Sequence, residues 1–459
     1  MLQSVLDPET ILVYPLRPVD MQGSSLWSEN CRLLLLTHHP EEEDLKLALA
    51  KYCDSGQDYL SLLRDEDPLA RASFTDDQTY LEMRKTPHPR QITYRTASLE
   101  AVAQPLLKRA LEETFELGCH KEDSMARSCS SQGSILGSPS DIREFIAQLK
   151  NRTGQDGILI TPDMKLAFDR EEDLATKEVF DLRSDLKPTT LNTESYFAHL
   201  TTQQLGQILF HTPVVHSSMD FVSGPCLGHG VGIIPDFQTS GQGRGSNKWI
   251  SPRGCAMFTL QILISLKSRL GQRLPLVQHM PGLALVQALK KISPGLDVGI
   301  KWPNDIYFEK HTKMGGILTK TSVMGSEAVV NIGVGFNLSN EKPTVSLNEI
   351  LRAKGISEIG REVYLAEVFN QLESLLEAFE MDENSFYDAY HRSWIHQGQK
   401  IHVRTEDPAE EAFEAVVEGL DTFGFLSVRS NSSGTLVTVH PDGNSFDMMK
   451  GLIHPKVRP

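Results

Sequence analysis

Between residues 256 and 338 the chain offers four strand-length apolar runs, and two of them, GGILTK (315–320) and NIGVGFN (331–337), carry glycines in their interiors. Glycine weakens a strand unless a backbone or a ligand must pass close to it. The sheet built here therefore either takes a tightly packed helix at Gly315, Gly316, Gly333 and Gly335 or keeps that face bare for a ligand, and the residues alone leave both open. Residues 256–266 alternate: Phe258, Leu260, Ile262 and Ile264 point one way and Thr259, Gln261 and Ser265 the other, which predicts a strand with one buried face. Residues 298–302 read as a further strand. Antiparallel or mixed sheet with helices on one side, an α+β arrangement, fits this order of elements.

Around this block the organisation is simpler. Leu365, Val368, Phe369, Leu372, Leu375, Leu376 and Phe379 recur at three- and four-residue spacing and predict one apolar helical face over 361–380, which is core packing. Residues 277–292 also read as a helix, in which Pro281 is costly unless it falls in the first turn. After Trp394 short strands separated by turn residues predict a small β-barrel, taken as a domain over 393–459. Residues 1–190 read as an α/β extension, residues 191–392 as the domain holding the chemistry. The run SMARSCSSQGSILGSPS, 124–140, reads as a linker or surface loop because of its serine and glycine content.

Bulk properties exclude several functions. At 459 residues the chain exceeds one core. A net charge of −15 argues against nucleic acid and anionic membrane surfaces as partners. No apolar run approaches the roughly 20 residues that cross a bilayer. Six cysteines without a CxxC pair signal neither a zinc site nor a disulfide framework, which is the expectation for a reducing cytoplasm.

Four stretches can carry chemistry. The first is QTSGQGRGSNKWISP, 238–252. Gly241, Gly243 and Gly245 let backbone amides approach an anion, Arg244 can grip a phosphate or carboxylate with its forked guanidinium, and Trp249 can cover a flat ring. A Gly–Ser surface loop is the plain alternative. The second is KWPNDIY, 301–307, in which Pro303, Asn304 and Asp305 turn the chain beside Lys301 at a strand end. A lysine there would stabilise charge on a phosphate; an ordinary turn beside a solvated lysine competes. The glycine strands are the third, with Asn337 at one end able to read a base edge or to bond backbone. The fourth is HSSMD, 216–220, where Ser217 and Ser218 either bind a polar ligand head or cap a helix.

These motifs in this order resemble the biotin–protein ligase family, the eukaryotic holocarboxylase synthetases in particular. The likeness is strong over about 190–345, weaker through the C-terminal barrel and weakest before 190. It implies a class II synthetase-like catalytic domain followed by an SH3-like barrel. It also implies that Ser217, Ser218, Met219, Gln238, Gly241, Lys301 and Gly316 bind biotin. Gln242, Gly243, Arg244, Trp249, Asn304 and Asn337 would bind ATP or the adenylate, with Lys301 and Arg244 catalytic. Gln242 departs from the family's G[RK]GR pattern and removes a cation, which implies weaker retention of the adenylate or compensation by Lys248.

The implied reaction joins biotin to ATP, supplied with magnesium through ligands the sequence leaves open. The biotinyl-adenylate is then passed to a lysine on the carrier domains of biotin-dependent carboxylases. Cytoplasm is the implied compartment, with mitochondria also open. Lipoate–protein ligation and a non-catalytic biotin or nucleotide sensor are the competing readings. A DNA-binding repressor is disfavoured because no basic helix-turn-helix stands near the N-terminus.

Overall fold

The computed structural model describes residues 33–36, 58–64, 80–84 and 91–96. It also describes 132–455, apart from short breaks at 151, 155–156, 170–178, 225, 246, 341–343, 405–411, 442–443 and 448–451. The chain divides into two compact units, Met1–Ser128 with Lys342–Thr344, and Cys129–Glu341 with Val345–Pro459. In the first, β1 (Leu33–Leu36), β2 (Asp58–Arg64), β3 (Tyr80–Arg84) and β4 (Gln91–Thr96) form a sheet in the order β1-β2-β4-β3. The helix-like run at 42–53 lies outside the described residues.

The second unit holds a mixed sheet that is twelve-stranded among the described residues. Its strands are β5 (Gln132–Leu136), β6 (Leu159–Ile160), β7 (Lys165–Phe168), β8 (Val179–Arg183), β9 (Leu209–Val215), β10 (Val231–Gln242), β11 (Lys248–Ser251), β12 (Ala256–Ser265), β13 (Val298–Lys301), β14 (Asp305–Phe308), β15 (Thr312–Met324) and β16 (Glu327–Phe336). The order is β13-β14-β15-β16-β12-β10-β9-β5-β8-β7-β6, with β11 hairpinned onto β10. From β13 to β10 every pairing is antiparallel, β10 meets β9 in parallel, and β5, β8 and β7 are parallel neighbours.

One face of this sheet carries most of the helices, while Pro139–Lys150 packs through Phe145 on Phe210 of the opposite face. Helix α1 (Pro139–Lys150) and α2 (Thr193–His199) come first; α3 (His279–Ile292), α4 (Leu347–Ala353), α5 (Arg361–Met381) and α6 (Glu383–Ser393) follow the strands. The apolar stripe of α5 meets β12 where Phe369 and Phe258 pack edge to face, ring centroids 4.9 Å apart. Its polar side is used as well: the Glu373 carboxylate accepts the backbone N–H groups of Gln203, Gln204 and Leu205 at 2.6, 2.9 and 2.9 Å, pinning the loop before β9. Pro281 is the third residue of α3, inside the first turn, where its missing N–H has no intrahelical partner to lose. The sequence-level objection to it disappears.

Two expectations are corrected, the linker and the one-sided strand. The serine- and glycine-rich stretch taken as a linker contains β5, a strand with four consecutive buried residues. Small residues are required there: a Cβ on Gly133 would lie 2.6 Å from the His211 carbonyl oxygen. The strand expected to bury one face, β12, buries both, because a second layer covers its polar side. The boundary expected at 190 falls between β8 and β9, which are joined through β5 in one continuous sheet.

After α6, β17 (Lys400–Val403), β18 (Phe413–Leu420), β19 (Leu426–Ser430), β20 (Leu436–Val439), β21 (Asn444–Asp447) and β22 (Leu452–Pro455) form a separate small sheet in the order β20-β19-β18-β17-β22-β21.

Candidate functional site

Register decides which residues share a face, since side chains alternate along a strand while cross-strand partners stay level. Met257, Thr259 and Gln261 of β12 pair with Gly335, Gly333 and Asn331 of β16, and those three pair with Gly316, Leu318 and Lys320 of β15. The polar side of β12 is thus level with the glycines of its neighbours. This is the face away from Phe258 and α5.

On that floor sit the residues of the first and fourth motifs. Met219 packs on Gly333, where a Cβ would be 3.0 Å from the thioether sulfur. Trp249 lies flat over Gly335 and Gly316: a Cβ on Gly335 would be 2.2 Å from the indole nitrogen, and one on Gly316 3.4 Å from the ring. The bare glycines therefore admit the Trp249 ring and the Met219 thioether. The indole N–H is buried and meets no hydrogen-bond acceptor among the described residues. Lys313 stands above the ring, its ammonium 5.7 Å from the centroid.

Gln238 is held hard in place. Its amide oxygen accepts from the Ser218 N–H at 2.7 Å and hydroxyl at 3.0 Å, and its amide nitrogen donates to the Ser251 hydroxyl at 2.9 Å. Ser218 also bonds the Thr259 hydroxyl at 2.7 Å. The capping reading of the serine pair holds for Ser217. Ser217 caps the short 3-10 helix Ser218–Val222, accepting from the Met219 N–H, with Asp220 closing the capping box. Ser218 faces the floor. The helix is tied to the sheet by a buried polar chain: Asn331 donates to the Val222 carbonyl at 3.0 Å, and Gln261 donates to Asn331 at 2.8 Å.

The glycine loop reaches the KWPND turn. The Arg244 guanidinium donates to the Asn304 side-chain oxygen at 3.3 Å and to the Pro441 carbonyl of the C-terminal domain at 3.2 Å. Asn304 in turn donates to the Ile317 carbonyl at 2.8 Å, anchoring the turn to β15. Lys301 ends β13, its ammonium 5.4 Å from the Tyr307 ring centroid. The carboxylate of Asp305, its register partner, is paired with Lys313 at 2.8 Å. Trp302, in a cis peptide with Pro303, is fixed at both ends. Its N–H donates to His396 Nε2 at 3.0 Å, and its indole donates to the Gly424 carbonyl at 3.1 Å. His396 is completely buried, and burial pushes its imidazole down to about 4, so it stays neutral and can accept. Its other ring nitrogen faces the Gln399 side-chain oxygen at 2.9 Å.

Gln242 and Asn337 both have partners within the protein. The Gln242 side chain donates to Asp220 at 3.1 Å and accepts from Lys320 at 2.7 Å. Lys248 is its ladder partner, but the cation bonded to it is Lys320. Asn337 is buried at the end of β16, its side-chain oxygen 3.7 Å from the Cys255 thiol. Gly241 and Gly243 lie where the loop folds back: Cβ atoms there would meet the Trp249 carbonyl at 2.6 Å and the Asn247 carbonyl at 3.1 Å. The residues missed in the sequence are Asp220, Thr259, Asn331, Gln261, Lys320 and His396. Only the polar periodicity of β12 pointed to two of them. Among the described residues no group of three or more metal-ligating side chains is assembled.

Fold and site together define an α+β protein in which a cationic, aromatic loop folds over the glycines of a mixed sheet. The chain belongs to the biotin/lipoate A/B protein ligase family, whose sequence profile matches residues 230–337. It is 33% identical over 281 residues to biotin–protein ligase 2 of Arabidopsis thaliana, a match covering 59% of this chain and 83% of that one. It is 39% identical over 280 residues to the biotin–protein ligase of Homo sapiens, covering 58% of this chain but 38% of that protein's length. Among solved structures, the biotin protein ligase from Aquifex aeolicus in complex with biotin and ATP superposes with a TM-score of 0.40 at 21% identity, over 52% of this chain and 99% of that one.

Proposed function

We propose that this chain is an ATP-dependent biotin–protein ligase that makes biotinyl-adenylate and transfers biotin to a lysine of a biotin carboxyl carrier domain. The observation that carries the proposal is the meeting of Arg244 with Asn304, which brings the mobile-type glycine loop and the lysine-bearing turn to one place although 60 residues separate them. Family membership and the naming of relatives as biotin–protein ligases support the choice of biotin.

In this reading Ser218 and Gln238 hold the polar head of biotin against Thr259, with Met219 beside it. The carboxylate end runs toward Arg244 and Lys301. Attack of that carboxylate on the α-phosphorus is opposed by repulsion between two anions. Lys301 and Arg244 offset it where charge grows, and magnesium, arriving with the nucleotide as substrate, screens the departing pyrophosphate. Trp249 gives the adenine a flat surface, Gln242, Gly243 and Asn337 sit along the nucleotide's side, and Gly241 and Gly316 let the ligand approach backbone. Closure of the loop onto the turn and onto Pro441 excludes water from the mixed anhydride until an acceptor amine arrives. We place this activity in the cytoplasm, with mitochondria as a second compartment.

Lipoate is the nearest competing acid, since the family spans both ligase types. A pyrophosphate-release assay with a panel of acids tests the assignment: biotin should drive release and lipoate should not. Release driven equally by lipoate would overturn the choice of substrate.

A further inference from the structure

The Ser218–Val222 helix that presents Ser218 and Met219 is gripped from two sides. The sheet holds it from below through Thr259, Asn331 and Gln261. The other side is built by β5 to β8 and the corner between β6 and β7, outside the segment matched by the family profile. Phe221 is fully buried there, edge to face with Phe180 of β8, ring centroids 5.1 Å apart and planes at 83°. Ile135, Leu159, Leu166 and Leu182 join the same apolar cluster as Phe221, Val222 and Met219. The corner between β6 and β7 closes on the backbone of the helix. Thr161 is buried, donates its hydroxyl to the Asp220 carbonyl at 3.4 Å, and accepts the N–H groups of Asp163 and Met164 at 3.3 and 2.9 Å. Pro162 sits against Gly224, where φ is +86° and a Cβ would come within 2.6 Å of the proline ring. Farther on, Arg152 donates to the Cys226 carbonyl.

We infer that β5 to β8, with the corner between β6 and β7, are part of the biotin site, with Phe180 and Thr161 as positioning residues that set where Ser218 meets the polar head of biotin. This rests on the reading of the site as a biotin ligase. A side chain held from one face only is free to tilt away from the other, and a hydrogen-bonding head group is sensitive to displacements of a fraction of an ångström. Neither residue touches the substrate. Their effect runs through the helix, so it falls on biotin affinity and spares the nucleotide half of the site.

The test uses the full chain and the variants Phe180→Ala, Phe180→Leu and Thr161→Val. Calorimetry gives the biotin Kd; steady-state pyrophosphate release gives KM for biotin and, at saturating biotin, kcat and KM for ATP. Phe180→Ala is expected to raise the Kd and KM for biotin by about ten-fold. Phe180→Leu should recover most of that loss, and Thr161→Val should cost about three-fold. In each, kcat and KM for ATP at saturating biotin stay within about two-fold. Thr161→Val preserves shape and carries the test if Phe180→Ala fails to fold. A biotin Kd unchanged in Thr161→Val or in a folded Phe180→Ala, or kcat falling while the biotin Kd holds, overturns the inference. A parent chain that binds no biotin would overturn the assignment of function instead, so the two failures are distinguishable.

Discussion

Replacing Gly335 by alanine tests why the floor is bare. The added Cβ would stand 2.2, 2.5 and 2.7 Å from three atoms of the Trp249 indole. Ordinary contact needs about 3.5 Å, so the ring must retreat by roughly 1.3 Å at its nitrogen. An indole is rigid, and the retreat cannot be absorbed by a flexible chain end. In a strand, alanine for glycine is otherwise worth about 0.5–1 kcal/mol in its favour. Overpacking costs about 1–3 kcal/mol, so the steric effect wins and the substitution destabilises. The functional effect follows from the same displacement. Stacking of a base on an aromatic side chain is worth about 1–3 kcal/mol, and losing half to all of it raises KM for ATP by about ten-fold. Gly316→Ala is the steric control: its Cβ would approach the ring no closer than 3.4 Å, an ordinary contact, so its melting temperature should stay at the parent value. Titrating ATP in a pyrophosphate-release assay, alongside thermal melts, reads both variants. An unaltered KM and melting temperature in Gly335→Ala would refute the placement of Trp249.

Asp236 is buried between His211 at 3.1 Å and Arg361 at 2.9 Å, with Thr190 also bonded to it. Burial alone would raise its carboxyl, but the bonds from His211, Thr190 and Arg361 outweigh that and hold it at about 2. Asp236→Asn should therefore cost about 3–5 kcal/mol in denaturant unfolding, and a loss under about 1 kcal/mol would contradict the buried pairing. Acid stability gives another check. Burial pushes His279 and His396 from 6.5 down to about 4. The unfolded chain takes up protons below about 6.5 that the folded chain refuses until about 4, so stability is full above that window and falls as pH drops through it. Each histidine contributes up to about 3 kcal/mol of the fall. Asp236 adds nothing there, since its contribution is lost only below about 4. Urea midpoints that stay flat between pH 6.5 and 4.5 would show that these imidazoles are not excluded from solvent.

The parts of the site legible in the sequence are those written locally. A proline-fixed turn beside a lysine, a glycine loop holding one arginine and one tryptophan, and glycines inside strands each state a constraint within a few residues. The polar period of β12 also marked Thr259 and Gln261, although its meaning needed the register with β16. What stayed hidden depends on partners far along the chain. His396 matters because Trp302 donates to it from 94 residues away, and Asn331 because it reaches Val222 across 109 residues. Asp220 looks like a cap residue until Gln242 and Lys320 are placed beside it. The strand β5 was concealed by composition: serine and glycine flank its two apolar residues, and Gly133 is there for close approach, not for freedom.

In the proposed reaction Lys301 and the Arg244 loop act on one acyl-phosphate. Full-length chain, magnesium-ATP, labelled biotin and a biotin carboxyl carrier fragment should yield label on a single fragment lysine with one pyrophosphate released per biotin. Lys301→Ala, with an unchanged melt, should yield neither. Label transferred at the parent rate by Lys301→Ala, or pyrophosphate released without biotin, would contradict it.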